Sequence, residues 1–273
     1  MLSTSISNNG VLVVAERISL SDQQEFTPLI NERLRRLAEG LDASARVKGF
    51  TGNGFTRIQV EGSDSEVLTE LIRRKLNVAA EDISQLEVDD HFKAYVKRIN
   101  PKKQSLEVEI GPLSAHVKCE INEHALAAQL SDGRMVPIER TARTYCLHEG
   151  VPILTRITEI DRHRRQLQAW ISDDQMDRFE NWRRQRFHRI LAIGDFRERI
   201  CRAIRFSGVE RDVIDIEELA FTTSCLVCKL GTEAPGIIAK IGRHIGKVRL
   251  HVFLPERLDE MRTSSETMTG LLN

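Results

Sequence analysis

Basic side chains alternate with apolar ones along His91–Asn100, and side chains spaced in this way could bind a nucleic-acid strand. Lys93, Tyr95 and Lys97 fall on one face of a predicted strand, because successive side chains of a strand point to opposite sides. Lysine ammonium groups can contact phosphates, and a tyrosine ring can stack on a base. We therefore predict that this face contacts single-stranded RNA.

Further basic side chains extend the predicted contact surface into two turns and three later strand or loop positions. The complete set of candidate RNA-binding residues is Lys93, Tyr95, Lys97, Lys102, Lys103, His116, Lys118, Arg156, Arg164 and Arg165. The chain has 40 basic and 40 acidic residues and no net charge. Any binding of nucleic acid must therefore come from local patches of this kind.

Other motifs give little support for catalysis or for a metal centre. Cys225 and Cys228 are three residues apart, and on one strand such thiols point to opposite faces, so we expect buried thiols and no zinc site. Residues 231–236 begin like a phosphate-binding loop, but Ile237 and Ile238 stand where a lysine and a hydroxyl are needed. The eight histidines are scattered. We predict no enzyme activity, cofactor, metal or small-molecule substrate.

The elements that position the basic residues form a predicted five-stranded barrel over residues 87–172. Alternating patterns predict strands at 92–99, 106–110, 117–121, 151–160 and 167–171, with a short helix at 124–130. The sequences V-K-R-I-N-P, L-E-V-E-I-G, E-G before the fourth strand and I-T-E-I-D before a basic turn resemble the S-one-type OB domain. This RNA-binding module occurs in a large ribosomal protein and in exosome and antitermination proteins.

The resemblance implies an OB barrel that contacts RNA on its outer surface. The family usually carries aromatic residues for base stacking on the second and third strands. Here those strands carry Glu107, Glu109, His116 and Lys118 instead. We therefore expect RNA contact through the barrel to be weak.

Predicted units flank the barrel on both sides, and together they give an α+β multidomain fold. Residues 1–86 predict a small α+β sandwich with the order strand, helix, strand, strand, helix. Residues 173–208 predict a helical linker and the start of the C-terminal domain. Residues 209–262 predict a second α+β domain, and residues 263–273 predict a flexible tail.

The last domain resembles an RNA-binding KH domain in the segment P-G-I-I-A-K-I-G-R-H-I and in its order helix, strand, strand, helix, strand. The resemblance implies a backbone-clamping loop at 239–242, with Lys240, Gly242 and Arg243 as candidate contacts. Because Ala239 replaces the first glycine of the G-x-x-G clamp, we expect its function to be weakened or lost. The segment T-T-S-C-L-V-C-K-L-G-T-E-A-P-G-I-I is also similar to a family of archaeal conserved hypothetical proteins with no assigned activity.

Three functions stay open at this point. The first is a non-enzymatic RNA-binding accessory factor of translation, transcription or RNA processing, with the ribosome, exosome or RNA polymerase as partner. The second is a scaffold that docks on a large assembly through protein contacts alone, which the balanced charge favours. The third is a small-ligand sensor or enzyme with its pocket at 231–236. No signal peptide or membrane-spanning run is visible, so we expect a cytoplasmic protein with free thiols.

Overall fold

The computed structural model describes residues 10–114 and 116–263. Apart from its first residue, the predicted tail at 263–273 lies outside the described residues. Three units follow one another along the chain. We name them the N-terminal unit (residues 10–79), the barrel unit (residues 91–171) and the C-terminal unit (residues 189–253).

The N-terminal unit is an antiparallel sheet with two helices on one face. Its elements are β1 (Val11–Arg17), α1 (Gln23–Leu37), β2 (Ala43–Phe50), β3 (Phe55–Gly62) and α2 (Ser65–Leu76). The strand order is β1-β3-β2, and residues 77–79 pair with the free side of β1 through a bridge between Val14 and Val78. Phe26 and Ile30 on α1 and Leu68 and Ile72 on α2 fill the core, as expected for helices with one apolar face.

The barrel unit closes five strands into a ring. Its elements are β4 (His91–Asn100), β5 (Ser105–Glu109), β6 (Lys118–Ile121), α3 (Glu123–Leu130), α4 (Ile138–Tyr145), β7 (Pro152–Asp161) and β8 (Gln166–Ile171). The strand order around the ring is β4-β5-β6-β8-β7. The pair β6–β8 is parallel, and the other four pairs are antiparallel. Helix α3 lies between the third and fourth strands, and its Leu126 and Leu130 join the barrel core.

The C-terminal unit follows a helix, α5 (Asp173–Gln185). Its elements are β9 (Arg189–Ile193), α6 (Arg197–Phe206), β10 (Val213–Ala220), β11 (Thr223–Cys228), α7 (Ala234–Ile241) and β12 (Arg249–Phe253), and a last helix, α8 (Pro255–Thr263), comes after it. The sheet is antiparallel with the order β10-β11-β9-β12. The succession β-α-β-β-α-β with this order is a split βαβ arrangement.

This arrangement corrects the KH-like prediction. A strand, β9, lies within residues 173–208, where the sequence predicted a helical linker, and it is a central strand of the sheet. Helix α7 ends at Ile241 and leads through a turn to the strand β12. The segment 239–242 therefore does not lie between two helices, as a KH clamp loop must.

Both faces of the C-terminal sheet are covered. Ile190 and Ala192 point towards α6 and α7 and form one core with them. Leu191 and Ile193 point the other way, into a core that is continuous with that of the barrel and includes Trp182 of α5. Because apolar side chains line β9 on both sides, the strand shows no alternating pattern.

The N-terminal and C-terminal units share one topology and contact each other reciprocally. With the bridge at Val78, the order in the N-terminal sheet is residues 77–79, β1, β3 and β2. The C-terminal sheet has its strands in the same order, β12-β9-β11-β10. The guanidinium of Arg33 on α1 lies 5.0 Å from the ring centre of Phe196, and that of Arg199 on α6 lies 5.2 Å from that of Phe26. The two phenylalanine rings meet edge to face at 4.8 Å. Each unit thus places an arginine against a phenylalanine ring of the other.

A buried ion pair joins all three units. Glu16 at the end of β1 binds the ammonium of Lys93 on β4, and both side chains are almost fully buried. The other carboxylate oxygen of Glu16 accepts a hydrogen bond of 2.7 Å from the backbone N–H of Phe221, between β10 and β11. Burial raises the pKa of Glu16, although Lys93 and the Phe221 N–H lower it in part. The pair therefore fixes the relative position of the units at a net electrostatic cost.

Within residues 10–114 and 116–263, none of the helices has the length and apolar character that crossing a lipid bilayer requires.

Candidate nucleic-acid interface

The centre of the predicted contact surface is buried, and the prediction for Lys93 and Tyr95 is wrong. The alternation of β4 does point both side chains away from the barrel core, but they meet β1 of the N-terminal unit and not solvent. Tyr95 is 3% exposed, and its hydroxyl donates a hydrogen bond of 3.0 Å to the carbonyl oxygen of Ala15. Lys93 is 6% exposed and pairs with Glu16. Neither side chain can reach RNA in this arrangement.

The next part of the same surface is exposed but electrically neutral. Lys97 lies 3.0 Å from Glu107, and Arg98 lies 2.6 Å from the other oxygen of that carboxylate. Burial raises the pKa of Glu107, but the hydrogen bonds and charges of Lys97 and Arg98 outweigh it and leave the pKa below its usual range. Glu109 pairs with Arg17 at 3.0 Å. Cations and carboxylates thus cancel along the outer face of β4 and β5.

Three further candidates are also ion-paired. Lys103 lies 3.8 Å from Glu120, Arg156 lies 2.8 Å from Asp89, and Arg164 lies 3.7 Å from Asp161. Each of these pairs is largely solvent-exposed, and such pairs contribute only about 0–1 kcal/mol. A phosphate group could therefore compete for these cations at little cost.

Four candidates are exposed and have no ion-pair partner among the residues that the structure describes: Lys102, His116, Lys118 and Arg165. Lys118 begins β6, and its backbone N–H donates a hydrogen bond of 3.1 Å to the carbonyl oxygen of Arg165. Lys102 belongs to the turn between β4 and β5, and Arg165 to the turn between β7 and β8. These cations therefore lie at the β6 side of the barrel, where both turns flank the sheet.

Trp170, which was not among the predicted contact residues, lies on the same sheet. Leu167, Ala169 and Ile171 on β8 point into the barrel, so Trp170 points outwards, and it is 38% exposed. Arg156 stands opposite Trp170 in the register of β7 and β8. The sequence L-Q-A-W-I already indicates an exposed tryptophan, since it occupies a position where an outward-facing polar residue is expected.

The free cations and this tryptophan form one strip on the outside of the parallel strand pair. We define the β6–β8 strip as Lys118, Arg165, Gln168 and Trp170. Lys118 is paired in register with Gln166, and the four-residue step from there to Trp170 spans about 13 Å along the strand. The strip offers cations at one end and an aromatic ring at the other.

The residues of the predicted clamp lie elsewhere. Lys240, Gly242 and Arg243 are exposed at the C-terminal end of α7 and in the turn that precedes β12. They belong to the helix-covered face of the C-terminal unit and have no contact with the barrel strip. The barrel and the former clamp segment are therefore separate surfaces.

The cysteines of the C-x-x-C motif are buried on opposite faces of β11. Cys225 lies in the core shared with the barrel, and Cys228 in the core beneath α6 and α7. Burial raises the pKa of both thiols, that of Cys228 to about 11. Among the described residues, no three His, Cys, Asp or Glu side chains are grouped closely enough to hold a metal ion.

Two histidines stack at the boundary between the barrel and C-terminal units. The rings of His148 and His251 have centres 3.9 Å apart and planes 15° apart. Burial, together with the neighbouring His148 and Arg249, lowers the pKa of His251 to about 4. Burial, Arg143 and Arg249 also lower the pKa of His148. Both shifts favour the neutral form of the two rings.

Comparisons with known proteins add a limited identification. No curated protein matches the chain. Among solved structures, the chain is similar to an uncharacterized protein, MJ1198, from Methanocaldococcus jannaschii, with 14% identity, a TM-score of 0.23, and coverage of 32% of this chain and 95% of that one. It is also similar to a chain of the a/eIF2alpha–aDim2p–rRNA complex from Pyrococcus horikoshii OT3, with 12% identity and a TM-score of 0.25.

That second match covers 45% of this chain and 64% of the other. At these TM-scores, neither similarity establishes a shared function. A family model matches one part of the chain, from just before β9 to within β12. The identification that the comparisons support is thus confined to residues 187–252, which match the DUF2110 C-terminal domain.

Proposed function

We propose that this protein is a non-enzymatic RNA-binding accessory factor whose barrel holds single-stranded RNA across the β6–β8 strip. The proposal is supported by the strand order β4-β5-β6-β8-β7, with its parallel pair and its helix between the third and fourth strands, which is the order expected of an OB fold. OB folds bind oligonucleotides on the face of their second and third strands and with the loops that join strands one to two and four to five. The β6–β8 strip shares with that surface the third strand, β6, and the loop between the fourth and fifth strands.

One observation carries the proposal: the unpaired cations of the barrel gather at the two loops that OB folds use. Lys102 lies in the first of these loops and Arg165 in the second, and Lys118 lies on the third strand between them. Cations placed in this way track a phosphate backbone without reading its sequence.

Trp170 gives the same surface a site for a base. Aromatic stacking contributes about 1–3 kcal/mol per base and tolerates any base, because every base has a π-face. The paired cation Arg156 stands beside it in the register and can exchange Asp89 for a phosphate. The strip thus supplies both interactions that single strands require, and with few unpaired cations the affinity is expected to be modest.

The test is the salt dependence of RNA binding. A fluorescent oligouridylate of about 10 nucleotides, within the site size of one OB fold, is titrated with wild type and with Lys102→Glu/Lys118→Glu at several salt concentrations. A matched control is Lys48→Glu/Lys75→Glu, which makes the same charge change at two exposed lysines of the N-terminal unit.

We expect the log–log salt slope to shrink by about 1.4 in the barrel variant, since each lost phosphate contact on a single strand removes about 0.7. The control should keep the wild-type slope. If both double variants bind alike, or if wild type binds no RNA, the barrel does not act in this way. Docking through protein contacts alone would then be the better explanation of the fold.

A further inference from the structure

A cleft lies between the N-terminal and C-terminal units. It has a volume of about 620 Å³ and is bordered by α1, by α6 and by the turn that joins α7 to β12. This size is within the range of clefts that bind ligands, and such clefts occur preferentially where units meet. The cleft shares no residue with the β6–β8 strip.

Three of the four carboxylates that line this cleft are ion-paired, but they share two guanidinium groups, and one of these also binds Glu218. Glu25 pairs with Arg199, and Asp195 lies 3.7 Å from the same guanidinium. Glu198 lies 3.0 Å from Arg33. Asp22, which accepts a hydrogen bond of 2.7 Å from the hydroxyl of Ser21, is the remaining carboxylate and lies at the α1 side.

Two cations that line the cleft, Arg202 and Lys247, are not neutralised by a carboxylate of the described residues. Arg202 on α6 and His244 and Lys247 in the turn before β12 are exposed, and within the described part of the chain none of the three has an ion-pair partner. Lys240 and Arg243 continue the same basic turn beyond the cleft. An anionic ligand would therefore be drawn to Arg202 and Lys247.

An exposed aromatic ring lies among these cations. Phe206, the last residue of α6, is 72% exposed and lines the cleft. It follows Arg202 by four residues, so the ring and the guanidinium share one face of the helix. An aromatic ring beside unpaired cations is the combination that binds bases and phosphates of single strands together.

We propose that this cleft is a second binding site for single-stranded RNA, in which Phe206 stacks on a base and Arg202 and Lys247 contact phosphates. The proposal extends the proposed function from the barrel to the C-terminal unit, but it stands on its own residues. The sheet of this unit cannot serve as a stacking platform, as the sheet of an RRM does, because both of its faces are covered. The helix-covered side is where this unit can contact RNA.

The experiment compares two RNA lengths and two sites. Oligouridylates of about 10 and about 30 nucleotides are titrated with wild type, the barrel variant Lys102→Glu/Lys118→Glu, the cleft variant Arg202→Glu/Lys247→Glu, Phe206→Ala and Phe206→Tyr. The exposed-lysine control Lys48→Glu/Lys75→Glu and the melting temperature of each variant show that a loss of binding is local. Cross-linking of the short RNA to the barrel variant, followed by peptide mapping, locates the residual site.

We expect Phe206→Ala to weaken binding of the long RNA by about 5- to 150-fold, as the loss of one stacked base does, and Phe206→Tyr to retain it. The residual binding of the barrel variant should disappear when the cleft substitutions are added, and its cross-links should map to α6. Wild-type affinity and salt slope in the cleft variant would overturn this site while leaving the barrel site intact.

The converse result, in which only the cleft variant loses binding, would overturn the barrel function and support the cleft. If the charge reversals weaken binding but Phe206→Ala does not, the cleft attracts any polyanion, and its assignment to RNA is wrong. If no variant or RNA length shows binding, both proposals fall together.

Discussion

Replacing Lys93 tests the arrangement of the three units directly. Lys93→Met keeps the length of the side chain but leaves the Glu16 carboxylate buried with only the Phe221 N–H to stabilise it. Removing one partner of a buried pair costs about 3–5 kcal/mol, because the other charge is left uncompensated. At an m-value of about 3 kcal/mol per M, the urea midpoint should fall by about 1–2 M.

The chain provides a matched control four residues away. Lys97→Met makes the same substitution on the same strand face, but Lys97 is 44% exposed and its pair with Glu107 is open to solvent. An exposed pair contributes about 0–1 kcal/mol, so this variant should unfold close to wild type. Urea unfolding followed by fluorescence gives both values, with the buried Trp182 as a reporter.

A double replacement shows how much of the loss comes from leaving the Glu16 carboxylate without its partner. Glu16→Leu/Lys93→Met removes both charges and should cost much less than Lys93→Met alone, about 1–3 kcal/mol, since only the Phe221 N–H loses its acceptor. If Lys93→Met costs less than about 1 kcal/mol, Lys93 is exposed and the units do not meet as described. A changed RNA salt slope in that variant would likewise restore Lys93 as a contact residue.

Four further results are expected. Trp170→Ala should weaken RNA binding by about 1–3 kcal/mol with an unchanged circular dichroism spectrum, whereas Trp170→Phe should bind almost normally; equal affinities would remove the tryptophan from the site. The pKa of His251 is lowered to about 4, so the unfolded chain binds a proton at this histidine before the folded protein does as the pH falls. The free energy of unfolding should therefore drop by about 2 kcal/mol between pH 6.5 and 4, after allowing for solvent screening. His251→Gln should flatten this pH profile, as measured by urea titrations at several pH values. A side chain at Gly111 would have its first carbon 1.9 Å from the carbonyl oxygen of Ala80, so Gly111→Ala should lower the melting temperature, and a neutral result would contradict that close approach. Of the five cysteines, only the partly exposed Cys201 should react quickly with a thiol reagent before denaturant is added; rapid labelling of a second thiol would contradict the burial of the others.

The strands of the barrel and the helices of the N-terminal unit were predictable because each has one apolar face and one polar face. Leu106 and Val108 alternate with polar residues on β5, and Phe26 and Ile30 recur at helical spacing on α1. Strand β9 was not predictable in this way. Its five residues are all buried, so no alternation marks it, and the helix before it ends at Arg186 in a left-handed conformation without a glycine to signal the end.

The candidate site was predictable only in part, for a related reason. Alternation shows that Lys93 and Tyr95 point away from the barrel core, but it does not show whether solvent or another unit lies beyond them. Their partners, Glu16 for Lys93 and Ala15 for Tyr95, lie 77 and 80 residues earlier, outside any local pattern. Lys118 and Arg165 were predicted in the barrel, and Trp170 could have been, because a tryptophan at an outward position is visible in the sequence.

The long reach of Glu16 also has a consequence for biosynthesis. Its carboxylate accepts a hydrogen bond from the N–H of Phe221, which is synthesised 205 residues later. The face of α1 that carries Phe26 likewise stays uncovered until Phe196 has been synthesised. At about 5–20 residues per second, a ribosome needs about 10–40 s to supply the missing stretch. During that interval the nascent N-terminal unit exposes an uncovered acidic and aromatic surface. We expect nascent chains stalled before residue 196 to require a chaperone to remain free of aggregation.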